Sequence, residues 1–217
     1  MTGKIAIFDC DGTLVDGQAN ICESMEAAFA HAGLALPDRH EIRRIVGLSL
    51  PQAVRLLAPE IADDLRTEVV DTYRQHYRAA REEGRLEEPL YDGIAGLLEE
   101  LRDLGWALGV ATGKSDRGLR ACLASHNILD WFVTLQTADR HPSKPHPAML
   151  EAALFEAGLA PADAVMVGDT SFDITMARAA GVRAIGVDWG YHTPQELLSE
   201  GAEAVAHSVP ELKELLL

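Results

Sequence analysis

Apolar and polar positions fall into two rhythms along the chain. Four apolar residues run unbroken from Ile5 to Phe8 and stop at Asp9, which is how a strand buried on both faces of a sheet reads. The rhythm then becomes helical. Ile21, Met25, Ala28 and Phe29 form an apolar stripe over 17–32, with Gly33 placed to stop it. Asp38 with Glu41 starts a short helix ending near Gly47, and Ser49, Pro51 and Gln52 supply the N-cap, first-turn proline and N3 partner of another. Leu65, Val69, Tyr73 and Tyr77, four apart, predict a longer helix over 61–83, with Gly84 after it. Residues 16–86 carry no strand pattern and are too polar and too few for the main core.

The texture changes at Pro89. Asp92 opens a helix that ends at Gly105, and Trp106 to Ala111 reads as a buried strand. A helix from Ser115 to His126 and a strand from Trp131 to Leu135 follow. Pro147 opens a helix running to Gly158, Ala164 to Val167 is a further apolar run, and Ser171 to Ala180 is a helix closed by Gly181. Arg183 to Val187 is a strand, Thr193, Pro194 and Glu196 make a capping box, Ala204 to Ala206 is a short last strand, and Ser208 with Glu211 caps a terminal helix. Strands alternating with helices predict an α/β fold, a Rossmann-like parallel sheet with helices on both faces. The division expected is a core of residues 1–15 and 87–217, with a small helical cap domain, 16–86, inserted after the first strand.

Composition narrows the class. The chain has 217 residues, 47% hydrophobic and 24% charged, with a formal net charge of −15. That charge argues against a nucleic-acid polymer or an anionic membrane as partner, since both require a basic face. It leaves room for a small anionic metabolite whose charge is met locally. No stretch approaches the ~18–20 apolar residues of a membrane span, and no signal-peptide pattern is present. Cys10, Cys22 and Cys122 are odd in number and lack metal-ligand spacing, which fits a reducing, cytoplasmic setting. Oligomeric state is not legible; a monomer or a homodimer is expected.

Candidate chemistry collects where strands end. Asp9 and Asp11 sit two apart, so in extended backbone both carboxylates project to one side, and Gly12 permits the tight turn that follows. Carboxylates this close call for a positive partner, and Mg²⁺ with a phosphate is the commonest arrangement; an Asp-Gly turn with an incidental second aspartate has the same spelling. Cys10, between them, is expected to point into the core. Thr112-Gly113 offers a hydroxyl and an uncrowded backbone N–H to phosphate oxygens, although Thr-Gly turns are common. Lys144, in Ser-Lys-Pro-His-Pro, has its backbone restrained by Pro145 and Pro147 and reads as a fixed positive charge. Lys114 reads as the weaker candidate, at the start of a solvent-facing helix. Asp169 closes a buried strand and Asp173 lies in the next helical turn, where helix-start electrostatics accounts for it equally well.

In this order, Asp-x-Asp-Gly-Thr-Leu, Thr-Gly, a lysine before proline and Gly-Asp-Thr-x-x-Asp resemble the haloacid dehalogenase-like hydrolase superfamily over essentially the whole chain. The run from Gly168 to Gly181 and the Ala-Thr-Gly-Lys segment are similar to its phosphoglycolate phosphatase branch. The resemblance implies a first strand beside the one ending at Asp169, with strand order reversing between them. It implies a Mg²⁺-dependent phosphatase acting on a small phosphate monoester, 2-phosphoglycolate-like, through an aspartyl-phosphate. Asp9 would be the nucleophile and Asp11 the general acid and base. Gly12, Thr112, Gly113 and Lys144 would hold the phosphoryl group. Asp9, the Asp11 carbonyl and Asp169 would hold Mg²⁺, with Asp173 supporting them, and the cap would close over the site.

Related chemistries fit less well. Dehalogenases need only the first aspartate. Phosphonate-cleaving relatives use a cap lysine, and residues 16–88 contain none. Sugar phosphomutases share the core apparatus and remain the alternative, though the cap turn Ile45 to Pro51 lacks basic residues beside its glycine. A phospho-accepting regulatory domain, the non-enzymatic alternative, has no large helical insert. Arg39, Arg43 and Arg44 lie near that turn. Arg44 is the candidate partner of a substrate carboxylate, while the exposed face of an amphipathic helix is the stronger reading for any one of the three.

Overall fold

The computed structural model describes residues 3–217. Its centre is a six-stranded, all-parallel sheet in the order β3-β2-β1-β4-β5-β6. The strands are β1 (Ile5–Phe8), β2 (Ala107–Thr112), β3 (Thr134–Thr137), β4 (Ala164–Gly168), β5 (Arg183–Val187) and β6 (Ala204–Ala206). β1 is the middle of the construction because both of its faces are apolar. Ala6 and Phe8 enter one core cluster, and Ile5 and Ile7 enter the other, so the two-residue period of the strand divides the molecule into two layers. Complete burial of Ile5, Ile7 and Phe8 contributes roughly 1.5–3 kcal/mol each.

The first layer is closed by α5 (Ile94–Asp103), α6 (Asp116–Ser125) and α10 (Val209–Leu216), through Leu98, Leu101, Leu119 and Leu212. The second is closed by α7 (Ala148–Ala157), α8 (Ser171–Ala179) and α9 (Pro194–Glu200), through Met149, Leu150, Ile174 and Leu197. From β1 the chain builds outward through β2 and β3 on one side and through β4, β5 and β6 on the other. The reversal between β1 and β4 opens a crevice at the carboxyl ends of both, the place where open α/β sheets bind ligands.

Four helices lie between β1 and α5: α1 (Gln18–His31), α2 (Arg39–Arg44), α3 (Leu50–Leu57) and α4 (Asp63–Glu82). They share an apolar cluster of their own, including Met25, Phe29, Ile42, Val54 and Val69. The chain leaves for these helices and returns from them side by side. Asp16 N donates to Pro89 O at 2.9 Å and Tyr91 N to Leu14 O at 3.0 Å, around a bridge between Val15 and Leu90. Among the described residues no helix is long and apolar enough to cross a membrane.

Three local expectations are corrected. Leu129–Trp131 forms a 3-10 turn and Phe132 packs into the core, so the strand begins only at Thr134. This edge strand is polar and satisfies itself laterally: Thr134 Oγ1 donates to Glu156 at 2.6 Å and accepts from Gln136 Nε2 at 2.7 Å. Ser49 makes no side-chain cap on α3; instead its backbone N–H donates to Ser143 Oγ at 2.8 Å, across to the loop that carries Lys144. α5 starts at Gly93, whose φ of 83° only glycine adopts freely, in place of Asp92.

Candidate active site

The ends of β1, β2 and β4 and the loop after β3 meet at one edge of the sheet. Asp9 follows β1, is completely buried, and donates its N–H to Val167 O at 2.9 Å. Its two carboxylate oxygens are treated differently. Oδ1 accepts from Cys10 N at 2.6 Å and pairs with Lys144 Nζ at 2.9 Å. Oδ2 is buried with no hydrogen-bond partner among the described residues. Burial pushes the Asp9 carboxyl up to about 7, against the pull of Lys144 and with the help of the neighbouring Asp173 and Asp11 charges.

Lys144 is sealed between Asp9 and Asp173, whose Oδ1 lies 2.6 Å from Nζ. Burial works against its charge, yet Asp173 and Asp9 together hold it above the ordinary lysine range. The other oxygen of Asp173 accepts from Thr170 N at 3.1 Å and from Thr170 Oγ1 at 2.7 Å, the capping box that starts α8. Both oxygens of Asp173 are therefore engaged, one by helix capping and one by Lys144.

Asp169 closes β4 and is fully buried, accepting from Thr13 Oγ1 at 2.7 Å and from Tyr191 N at 3.0 Å. Burial, then the charges of Asp9 and Asp173, raise its carboxyl well above the usual range. Gly12 makes this packing possible: at φ +83°, a Cβ there would fall 2.2 Å from Asp169 Oδ2. Carboxylate oxygens of Asp9, Asp169 and Asp173 lie within 4.8 Å of one another. An all-oxygen donor set with one buried oxygen lacking a partner could hold a hard divalent cation, whose charge would offset the burial of these carboxyls.

Asp11 stands apart from that cluster. Its carboxylate pairs with Lys114, Nζ lying 3.0 Å from Oδ1; burial raises its pKa, Lys114 opposes and Glu88 reinforces the rise. This corrects the reading of Lys114 as solvent-facing: its side chain is 8% exposed, and it also meets Glu88 Oε1 at 2.6 Å. Cys10 points into the core, as expected of the alternate residue at a strand end.

Thr112 ends β2 and is buried; Gly113 follows it. A Cβ at Gly113 would lie 2.4 Å from Leu48 O and 2.6 Å from Gly47 O, so the turn after α2 rests directly on it. Beyond the turn is a cavity of about 530 Å³. Asp11, Thr112 and Gly113 form its core wall, and Met25, Val46 and Tyr73 are part of its helical wall.

Arg44 does not reach this cavity. Its guanidinium is held bidentate by Glu196 of α9, at 2.9 and 2.7 Å. Arg74, Arg78 and Arg81, spaced along one face of α4, line the cavity instead. Their spacing is visible in the sequence, but nothing there sets it apart from a solvated face. Two further site residues carry no sequence signal. Tyr191 N binds Asp169, and His192 Nδ1 accepts from Ser171 N at 3.0 Å, which places its proton on Nε2, 3.1 Å from Arg44 O.

Residues 6–187 match the haloacid dehalogenase-like hydrolase family. The chain is 34% identical, over 96% of its length and 91% of the relative's, to a protein named probable phosphatase IndB from Dickeya dadantii. It is 27% identical, over 99% of its length and 96% of the relative's, to a phosphoglycolate phosphatase of Vibrio vulnificus. Among solved structures, a predicted phosphatase from Clostridium acetobutylicum superposes with a TM-score of 0.89, at 26% identity, covering 100% of this chain and 99% of that one. With the motif residues gathered at one sheet edge and the match running nearly end to end, the chain belongs to the haloacid dehalogenase-like hydrolase family.

Proposed function

We propose that this phosphatase hydrolyses small phosphate monoesters, 2-phosphoglycolate among them, with Mg²⁺ and through an aspartyl-phosphate on Asp9. The observation that carries the reading is Asp9 itself: fully buried, one oxygen gripped by Lys144 and Cys10 N, the other open beside a second buried carboxylate. Asp9, the Asp11 carbonyl and Asp169 are the ligands proposed for Mg²⁺, with Asp173 acting through Lys144. When bound, the ion supplies positive charge that orients and neutralises phosphoryl oxygens.

The chain's own residues do the rest. Lys144, the Thr112 hydroxyl, the Gly113 N–H and the backbone opened by Gly12 hold the phosphoryl oxygens. An Asp9 oxygen attacks phosphorus; the bond to the ester oxygen breaks, and that oxygen takes its proton from Asp11. Asp11, now a carboxylate, accepts a proton from water as the hydroxyl oxygen attacks phosphorus, freeing inorganic phosphate and the Asp9 carboxylate. Residues 16–86 act as the cap over a core of 1–15 and 87–217, and the ester's organic part occupies the cavity beside Asp11.

Phosphate release should be measured on 2-phosphoglycolate, hexose phosphates and nucleoside monophosphates. Multiple turnovers are expected that vanish with chelator and fall by at least ~10³-fold in Asp9→Asn. Stable labelling of Asp9 without release would instead show a phospho-accepting switch, and isomerisation of β-glucose 1-phosphate a mutase.

A further inference from the structure

The chemistry above uses Lys144 but leaves a second buried lysine, and the acid beside it, without a role. Lys114 Nζ makes a hydrogen bond of 2.6 Å to Glu88 Oε1 and lies 3.3 Å from the Tyr77 hydroxyl. It also forms an ion pair with Asp11, Nζ lying 3.0 Å from Oδ1. Glu88 is held twice more, by Tyr77 Oη at 2.7 Å and Arg81 Nη2 at 2.6 Å. Its side chain is only 4% exposed.

These groups come from three parts of the molecule. Asp11 and Lys114 belong to the loops after β1 and β2, Glu88 to the returning segment, and Tyr77 and Arg81 to α4. The cluster is closely packed; a Cβ at Gly17 would sit 3.1 Å from Asp11 Oδ1 and 3.7 Å from both Glu88 Cγ and the Tyr77 hydroxyl. The ammonium's place is set by its hydrogen bond to Glu88, and Glu88's place is set by two donors on α4. Lys114 is the one member that touches Asp11 with a positive charge.

We propose that Lys114 is a positioning residue for Asp11, and that the chain Tyr77/Arg81–Glu88–Lys114 makes the aim of Asp11 depend on the seating of α4. The inference rests on the reading of Asp11 as the proton donor to the leaving oxygen. It gives the helical block a part in the chemistry: a substrate that alters how α4 lies over the cavity also alters where Asp11 points.

The test separates orientation from general damage. An alkoxide leaving group needs the Asp11 proton, whereas p-nitrophenolate departs without it, and kcat/KM reports the steps up to transfer onto Asp9. Lys114→Met should lower kcat/KM about 10²-fold on an alkyl phosphate and no more than about 5-fold on p-nitrophenyl phosphate. Tyr77→Phe removes a single hydroxyl and should show the same selectivity at about 3- to 10-fold, keeping the proposal testable if the lysine variant does not fold. Equal losses on both esters in Tyr77→Phe, with an unchanged melting temperature, would overturn the proposal. Loss of all turnover in the unsubstituted protein would instead remove the phosphatase reading beneath it.

Discussion

At the residue scale, Lys144 concentrates the electrostatics of the site. It is the only positive charge in contact with the buried carboxylates of Asp9 and Asp173 among the described residues. Lys144→Met leaves the two facing each other unpaired, a change that typically costs about 3–5 kcal/mol. A marked fall in melting temperature is expected in metal-free protein, partly restored by Mg²⁺; an unchanged melting temperature would mean the pair is not held as described. Arg44 leads to the opposite expectation. Its guanidinium is committed to Glu196 in a half-exposed pair, so Arg44→Ala should cost under ~1 kcal/mol. It should shift KM equally for a carboxylate-bearing ester and for p-nitrophenyl phosphate, and a selective rise on the former would return Arg44 to the substrate. Lys144 was legible in the sequence because prolines fence it. Lys114 and Arg44 were not, because Tyr77, Glu88 and Glu196, which decide their surroundings, are remote in sequence and only the fold brings them near.

At the scale of elements, legibility followed burial. β1 and β4 read cleanly as continuous apolar runs, and the capping box at Thr193 and the N-cap at Ser208 named their helices. β3 misled because it is an edge strand whose polar side chains are satisfied by one another and by α7, while the apolar residues before it fill the core from a turn. The acidic motif after β4 combined two jobs in one spelling, since Asp173 caps α8 and anchors Lys144 at once. The turn on Gly113 is a meeting of elements that sequence could not reveal. A methyl group there would collide with two carbonyl oxygens of the helical block. Gly113→Ala should therefore displace that turn and lower kcat/KM by roughly 10-fold or more, with little change in the far-UV circular dichroism. Full activity would show the turn to be freely mobile.

For the whole molecule, burying acids in a chain of net charge −15 sets a pH dependence. Asp9 is raised to about 7 by burial and burial raises Asp169 well above its ordinary range, whereas both ionise near 3.8 when unfolded. At these two sites the folded state thus holds more protons than the unfolded one across that interval, so their contribution to metal-free stability should decline as pH rises through about 7. Mg²⁺ favours the ionised carboxylates, so the rise in melting temperature it confers should grow between pH 5.5 and 7.5. Asp9→Asn should flatten both trends; an increment independent of pH would place the ion elsewhere.

The paired backbones at Asp16 and Pro89 have a different kind of consequence. The two ends of the helical insertion are one hydrogen bond apart, so the path of the sheet does not depend on how much chain lies between them. Such an insertion is a cassette: it can be lengthened, trimmed or exchanged while β1 still delivers Asp9 to the same place. Changes within it can then reshape the helical block without moving β1, provided they keep its contacts with the core: the turn on Gly113, Ser49 on Ser143, Arg44 on Glu196, and Tyr77 and Arg81 on Glu88.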